Sequence, residues 1–238
     1  MNISLDKKEI IDFTFRECSP KPKSFADLGG IWRVDGAYTF YAIQEYEIEK
    51  AYLIDTNFSD KFIKKSSNVS NLTTINNNFG NDDVIKKLGE VDAIFLFDVL
   101  LHQVNPNWDD ILKMYSEKTN YFVISNPQWV SLGNTVRLLD LGKEEYFKNV
   151  PHTPDHPTYK LLFEKMYEVN EEHNRIWRDV HNVWQWGITD NNLIECLETL
   201  GFNQKFYKNC GRTGDLSNFE NHSFIFKKTR NYNNEVGT

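Results

Sequence analysis

Apolar residues fall along this chain in short continuous runs, separated by stretches in which they recur every three or four positions. That alternation predicts the elements. The runs at 24–28 and 50–54 have strand length, and 37–46 between them can be helical, so together they read as one strand, helix, strand unit. After a polar stretch, 72–75 is a short strand, and 82–88 is a helix closed by Gly89, a residue that suits a helix C-terminus. The run VDAIFLF at 91–97 is continuous rather than alternating, which implies a strand buried on both faces of a parallel sheet. An amphipathic helix at 108–115 and a buried strand at 121–124 extend the series. Near the other end, 190–200 is a helix stopped by Gly201, followed by strands at 202–207 and 222–227. Only the turn-rich CGRTGDLSNFEN separates those two strands, so they pair as an antiparallel hairpin. The predicted fold is α/β, a mostly parallel sheet with helices on both faces and an antiparallel finish.

The 238 residues, 40% hydrophobic and 14% aromatic, hold enough apolar surface for one full-sized core, and we expect a single domain over 1–238. No run of about 18 uncharged apolar residues occurs, and 1–20 lacks a stretch of signal-peptide character, so a cytoplasmic protein without a membrane span is expected. Cys18, Cys196 and Cys210 are scattered, odd in number and without the paired spacing of a zinc site; they read as reduced thiols. A net charge of −7 gives no global pull toward nucleic acid and favours a small-molecule substrate. The many Asn and Lys residues, with NNN at 76–78, fit an AT-rich bacterial genome. Oligomeric state is not legible.

The stretch FADLGGIWRVDGAYTF at 25–40 carries the chemistry. A glycine-rich turn between a first strand and a first helix lets backbone approach a ligand closely, beside the free N–H groups of the helix start. Nicotinamide dinucleotides and S-adenosylmethionine are both held by such loops. A dinucleotide loop requires G-x-G-x-x-G, whereas Gly29 and Gly30 are adjacent here and Gly36 lies six residues on, so that fingerprint fails. What remains is Asp27-Leu28-Gly29, together with Asp55 at the end of the second strand, where a carboxylate can take both hydroxyls of a ribose.

On these residues the chain resembles the class I S-adenosylmethionine-dependent methyltransferases, of a bacterial small-molecule or surface-glycan type. The matching segments are ADLGG, YLIDTN, FGND, FDVLLHQV and WGITDNNLIECLETLGF, spread over about 22–128 and 187–228. The resemblance implies a Rossmann-like seven-stranded sheet, S-adenosylmethionine as cofactor and S-adenosylhomocysteine as product. It implies a cofactor site drawn from Asp27, Gly29, Gly30, Arg33, Gly36, Asp55, Asp82 and Phe97. In that site Asp55 would bind the ribose, and Asp82 or Asp83 would sit near the adenine amine, with Asp82 preferred for its position directly after FGN. Because FADLGGIW departs from the family's D-x-G-x-G-x-G, the methionine carboxylate would fall to Arg33 or to the backbone of Gly29 and Gly30.

Between 124 and 190 lie more than sixty residues, far beyond an ordinary connection, and we expect a helical lid over 127–188 with 1–20 as a second cover. Four of the six tryptophans fall in this insert. They either bury against the sheet or wall a substrate site, with Trp129, Arg137, His152, Arg178 and Trp184 as the substrate candidates. Methyl transfer to a hydroxyl needs in-line approach and a group to accept the proton. His102, in DVLLHQV after the fourth strand, fits that role, with Asp98 one turn earlier to orient it; His181, in RDVHNVWQWG, is the second candidate. His152 and His156 invite a metal reading, but the prolines around them favour an extended loop over converging rings, and no metal is expected. The charged DKKEIIDF at 6–13 reads as an amphipathic helix, which the resemblance places over the cofactor. The expected activity is O-methylation of a small polar acceptor: a sugar, nucleotide-linked or phosphate-derived precursor of a bacterial surface polysaccharide. The alternatives are a small-metabolite methyltransferase and a non-catalytic cofactor-fold binding protein.

Overall fold

The computed structural model describes residues 3–131, 133–156 and 159–229. The first half of the chain alternates α1 (Leu5–Glu17), β1 (Ser24–Leu28), α2 (Ala37–Glu45), β2 (Lys50–Asp55), α3 (Asp60–Ser66), β3 (Leu72–Asn76), α4 (Asp82–Leu88), β4 (Val91–Phe97), α5 (Trp108–Ser116) and β5 (Thr119–Trp129). The insert expected to form a lid follows, with β6 (Val136–Arg137), α6 (Lys143–Lys148), β7 (Val169–Asn170), β8 (Arg175–Ile176) and β9 (Trp186–Gly187). The chain then returns through α7 (Asp190–Thr199), β10 (Phe202–Arg212) and β11 (Phe219–Lys228). Strand order in the main sheet is β10-β11-β5-β4-β1-β2-β3. β1 to β5 are parallel, and β11 runs antiparallel between β5 and β10.

The continuous run of β4 is explained by what covers it. Ile94 and Leu96 face a layer of α4, α5 and α7, built on Val84, Leu88, Trp108, Ile111, Leu112, Leu193 and Leu197. Phe95 and Phe97 face the opposite layer, where Ile10, Ile11 and Phe15 of α1 join Tyr38 and Ala42 of α2. Each such side chain contributes about 2 kcal/mol of burial, so both layers are held to the sheet by the same strand. Because the chain steps outward from β1 to β3 and then returns to place β4 on the other side of β1, the order reverses there. The carboxyl ends of β1 and β4 consequently lie side by side at the reversal, the place where sheets of this kind take their ligands.

Several elements differ from the sequence reading, among them β10 and β11, which extend toward their turn to Arg212 and from Phe219. α3 forms although its stretch is polar: the Ser59 hydroxyl accepts the Phe62 N–H at 3.0 Å, and Phe62 is its buried anchor. β5 continues past Ile124 to Trp129 because β11 pairs with it all the way, Phe219 opposite Trp129 and Glu220 opposite Gln128. Its last β4 partner is Ser125, so Pro127 interrupts no ladder bond on that side. The lid is mostly turns and two-stranded pairs rather than helical, with α6 its one α-helix among the described residues. It is held by a small core of its own, in which Leu138, Tyr146, Tyr159, Leu162 and Val183 meet Trp129, Trp184 and Phe219. Among the described residues no helix is long and apolar enough to cross a membrane, and the three cysteines are free thiols.

The start of α7 is fastened to β11 by His222, whose Nδ1 lies 2.8 Å from both carboxylate oxygens of Asp190. Burial works against a charge on this ring, but the hydrogen bond and charge of Asp190, and then Glu220, outweigh it and hold His222 above the ordinary imidazole range. A raised imidazole contributes stability that is complete below its unfolded pKa and fades as pH rises through the folded one. Asp190→Asn is therefore expected to cost about 2 kcal/mol of unfolding free energy at pH 6. The cost should be clearly smaller at pH 8.5, read by urea denaturation at both values; equal losses would remove the ion pair from the account.

Candidate active site

The crevice is shaped first by the turn after β1. Gly29 adopts φ +82°, and its N–H donates to the Ile54 carbonyl at 2.8 Å. A Cβ at Gly29 would stand 2.6 Å from Val99 Cγ1, and one at Gly30 would stand 2.4 Å from Asp27 Oδ2. Backbone is thus all that fits at either position. Asp27 is 1% exposed and accepts the Thr39 hydroxyl at 2.6 Å. Burial pushes its carboxyl up to about 7, with the Thr39 bond pulling the other way. At the end of β2, Asp55 Oδ2 accepts the Ile31 N–H at 3.0 Å and Oδ1 the Asn57 N–H at 3.3 Å. Each oxygen keeps a second lone pair for a ligand. Gly36 closes the turn at φ +71° as the N-cap of α2.

The second wall is the end of β4, with α1 above it. Asp98 takes φ +56°, its N–H bonded to the Ser125 carbonyl at 2.8 Å. Its carboxylate is ion-paired with Lys7 of α1, whose ammonium lies 5.6 Å over the Tyr38 ring. Phe97 is buried just below, edge-on to Tyr38 at 5.4 Å and stacked on Phe95 at 5.3 Å. Phe79, from the turn before α4, is buried beside Gly29, while Asp82 stands exposed at the start of that helix.

Three basic side chains from distant parts of the chain share one electrostatic neighbourhood. His102 ends the 3-10 turn Leu100–His102, and its Nδ1 lies 2.8 Å from the Val183 carbonyl. That bond assigns the proton to Nδ1 and leaves Nε2 with a lone pair. Burial lowers the pKa of His102, opposed by the Val183 bond and Asp98 and reinforced by His152. His152 is half-buried in the lid, stacked on Tyr159 at 5.0 Å; burial, His156 and the Arg33 cation lower it in turn. Arg33 is exposed on the glycine loop with its guanidinium 4.2 Å over the ring of Trp32, which is 69% exposed.

The remaining candidates have partners within the lid or its supports. His181 Nε2 lies 2.6 Å from Arg175 and 2.8 Å from the Val104 carbonyl, pinning the lid to the segment after β4. Burial lowers its pKa, and Arg175 adds to that against the Val104 bond. Arg137 donates to Asp179 at 2.7 Å and to the Arg178 carbonyl at 2.8 Å; Arg178 donates to Asp140 at 2.8 Å. Trp129 and Trp184 each pack edge-on against Phe219 at 5.1 Å. Among the described residues no group of three or more His, Cys, Asp and Glu side chains is disposed to hold a metal ion.

Lys7, Tyr38, Thr39, Trp32 and Phe79 escaped the sequence reading. For Lys7 a signal existed: it stands three, four and seven residues before Ile10, Ile11 and Thr14, on the buried stripe of α1. A lysine there needs a charged partner.

No family model and no curated protein matches this sequence. Solved structures match at the level of fold. The 1,6-didemethyltoxoflavin-N1-methyltransferase of Burkholderia thailandensis, solved with 1,6-didemethyltoxoflavin and S-adenosylhomocysteine, superposes with a TM-score of 0.59 at 13% identity, over 95% of this chain and 79% of that one. The magnesium protoporphyrin IX methyltransferase of Synechocystis PCC 6803, with bound S-adenosylhomocysteine, gives 0.58 at 11% identity, over 94% and 82%. This chain has the class I S-adenosylmethionine-dependent methyltransferase fold, in agreement with its strand order and terminal hairpin.

The elevated Asp27 carboxyl yields a pH test. The folded protein keeps this proton up to about pH 7, whereas an unfolded aspartate releases it near about 4, so stability falls as pH rises through that window. Between pH 5 and pH 8 the native protein should lose stability relative to Asp27→Asn, measured by chemical denaturation of both. Parallel pH profiles would mean that Thr39 accommodates the charged carboxylate without cost.

Proposed function

We propose that this chain transfers a methyl group from S-adenosylmethionine to an oxygen of a small polar acceptor that carries an anionic group. The observation that carries the proposal is the joined pair at the crevice: a glycine loop too tight for any Cβ, tied by the Ile31 N–H to the Asp55 carboxylate. These residues fit the cofactor. Asp55 would take the ribose hydroxyls, the backbone of Gly29 and Gly30 would lie along the amino-acid end, and the turn holding Phe79, with Asp82 after it, would border the adenine. The cofactor supplies an electrophilic methyl group on a sulfonium. What the chain adds is position, exclusion of water by α1 and the lid, and a proton acceptor.

His102 is the acceptor we propose for that proton. Its Nδ1–H is committed to Val183, its Nε2 lone pair is left for the substrate hydroxyl, and its lowered pKa keeps the ring neutral. Nε2 of His181 is held between a cation and a carbonyl, which makes it the weaker candidate. For the acceptor we propose a phosphate- or carboxylate-bearing sugar or nucleotide-linked sugar, of the kind used to build bacterial surface polysaccharide. Support comes from Trp32, whose ring is 69% exposed beside the Arg33 guanidinium, and from the charge of Arg33, which favours an anion; in the lid, Arg137 and Arg178 are occupied by Asp179 and Asp140. The similar structures are named for acceptors as unlike as a toxoflavin precursor and a magnesium porphyrin, so acceptor identity does not carry over from them.

Calorimetric titration with S-adenosylmethionine, S-adenosylhomocysteine and, as control, NAD tests the cofactor. Binding of the first two in the micromolar range, lost in Asp55→Ala, is the expected result; a folded protein that binds neither would overturn the proposal and favour a non-catalytic scaffold. His102→Gln should retain cofactor binding and reduce kcat by about 100-fold or more. Because a base must be unprotonated, the acid limb of the native kcat profile should lie below the ordinary imidazole range. Unchanged turnover in His102→Gln would reassign the base.

A further inference from the structure

We infer that Lys7 of α1 is the ligand for the carboxylate of the cofactor's amino-acid end, and that the Lys7–Asp98 ion pair opens to receive that zwitterion. This rests on the methyltransferase reading and goes beyond it. Lys7 is an unusual lysine: its side chain is 13% exposed, its stem shares a stripe with Ile10 and Ile11, and its ammonium sits over Tyr38. Burying a cation on an apolar stripe is unfavourable unless a partner compensates it, and an apolar residue there would pack α1 at lower cost. The position therefore calls for a charge. Its partner Asp98 is 45% exposed and stands where the β4 end meets the glycine loop: Asp98 precedes Val99, the residue that Gly29 abuts. The charge of Lys7 also reaches the Asp27 carboxyl beneath Gly30.

The cofactor's methionine end presents a carboxylate and an ammonium on one carbon. The protein presents the complementary pair, an ammonium from α1 and a carboxylate from β4, already in contact. Exchange lets Lys7 take the ligand's carboxylate and Asp98 its ammonium, so that every charge moves from one partner to another and none is left buried alone. Arg33, the cation of the glycine loop, lies over Trp32 on an exposed surface, and its charge acts on His152 of the lid. α1 does not need Lys7 to stay docked. Asp12 accepts the hydroxyls of both Tyr41 and Tyr46 at 2.5 Å, Lys208 pairs with Asp6 and Glu9 at 3.0 and 2.6 Å, and Ile10, Ile11 and Phe15 are buried.

The test compares two ligands that differ in the amino-acid end alone. Full-length native protein, Lys7→Met and Lys7→Arg are titrated calorimetrically with S-adenosylhomocysteine and with 5′-methylthioadenosine, which keeps the nucleoside and thioether and lacks the zwitterion. Lys7→Met should weaken S-adenosylhomocysteine about tenfold or more and leave 5′-methylthioadenosine within about twofold, with Lys7→Arg recovering most of the loss. Equal weakening of both ligands would make Lys7 a structural residue, and no weakening of either would remove it from the site; each result overturns the inference while leaving the methyltransferase reading intact. Failure of native protein to bind either ligand overturns both. Asp98→Asn is the second variant, expected to show the same selective loss; a loss for both ligands would break the proposed exchange.

Discussion

A buried carboxyl under a glycine is the constraint from which the crevice follows. Asp27, near the end of β1, is closed off from water, held by the Thr39 hydroxyl and covered by the Gly30 backbone with no room for a side chain between them. Because Thr39 belongs to α2, this one group fastens strand, loop and helix together. The loop is then forced outward past Gly30, which brings the Ile31 N–H to Asp55 and joins the ends of β1 and β2. Burying a carboxyl carries a cost, visible in its raised pKa. The Thr39 hydrogen bond offsets part of that cost and ties the loop above Asp27 to α2.

Electrostatics separates the groups matched inside the lid from those gathered near the ends of β1 and β4. The lid arginines are matched inside the lid, Arg137 to Asp179 and Arg178 to Asp140, and Arg175 is matched to the Val104 carbonyl and His181. Those pairs convert a long irregular insert into a firm cover, which its short two-stranded pairs would not do alone. The groups that remain are Lys7 with Asp98, the Arg33–Trp32 pair and the His102–His152 neighbourhood. They come from α1, the glycine loop, the turn after β4 and the lid, and each becomes a neighbour only when the sheet order reverses between β1 and β4.

Much of this was legible in the sequence wherever one physical cause dominated a segment. β4 is covered on both faces, so its run is continuous and its boundaries at 91 and 97 read directly. Asp27, Gly29, Gly30 and Asp55 stood out because the ends of parallel strands admit few residue types. β5 beyond Ile124 was hidden because Asn126 and Gln128 are buried despite being polar, and Pro127 is tolerated only where β4 has already ended. The lid was expected to be helical from its length and aromatic content alone, whereas the turns around Pro151 and Pro154 and the staples at Arg137 and Arg178 set its path. Lys7 was passed over because a lysine in a charged helix is usually solvated, and its partner lies 91 residues away.

The two histidines show why local pattern alone did not separate the candidates. His102 and His181 both follow apolar residues near the end of the sheet, and burial depresses both pKa values. The difference is in what each nitrogen touches. In His102 a single carbonyl holds Nδ1 and leaves the other nitrogen uncommitted, which is the arrangement a general base requires. In His181 the cation and the carbonyl converge on the same nitrogen, so either tautomer leaves one contact unfavourable and a proton gained there would face Arg175 at 2.6 Å. His181 thereby ties the insert to the segment that follows the 3-10 turn carrying His102.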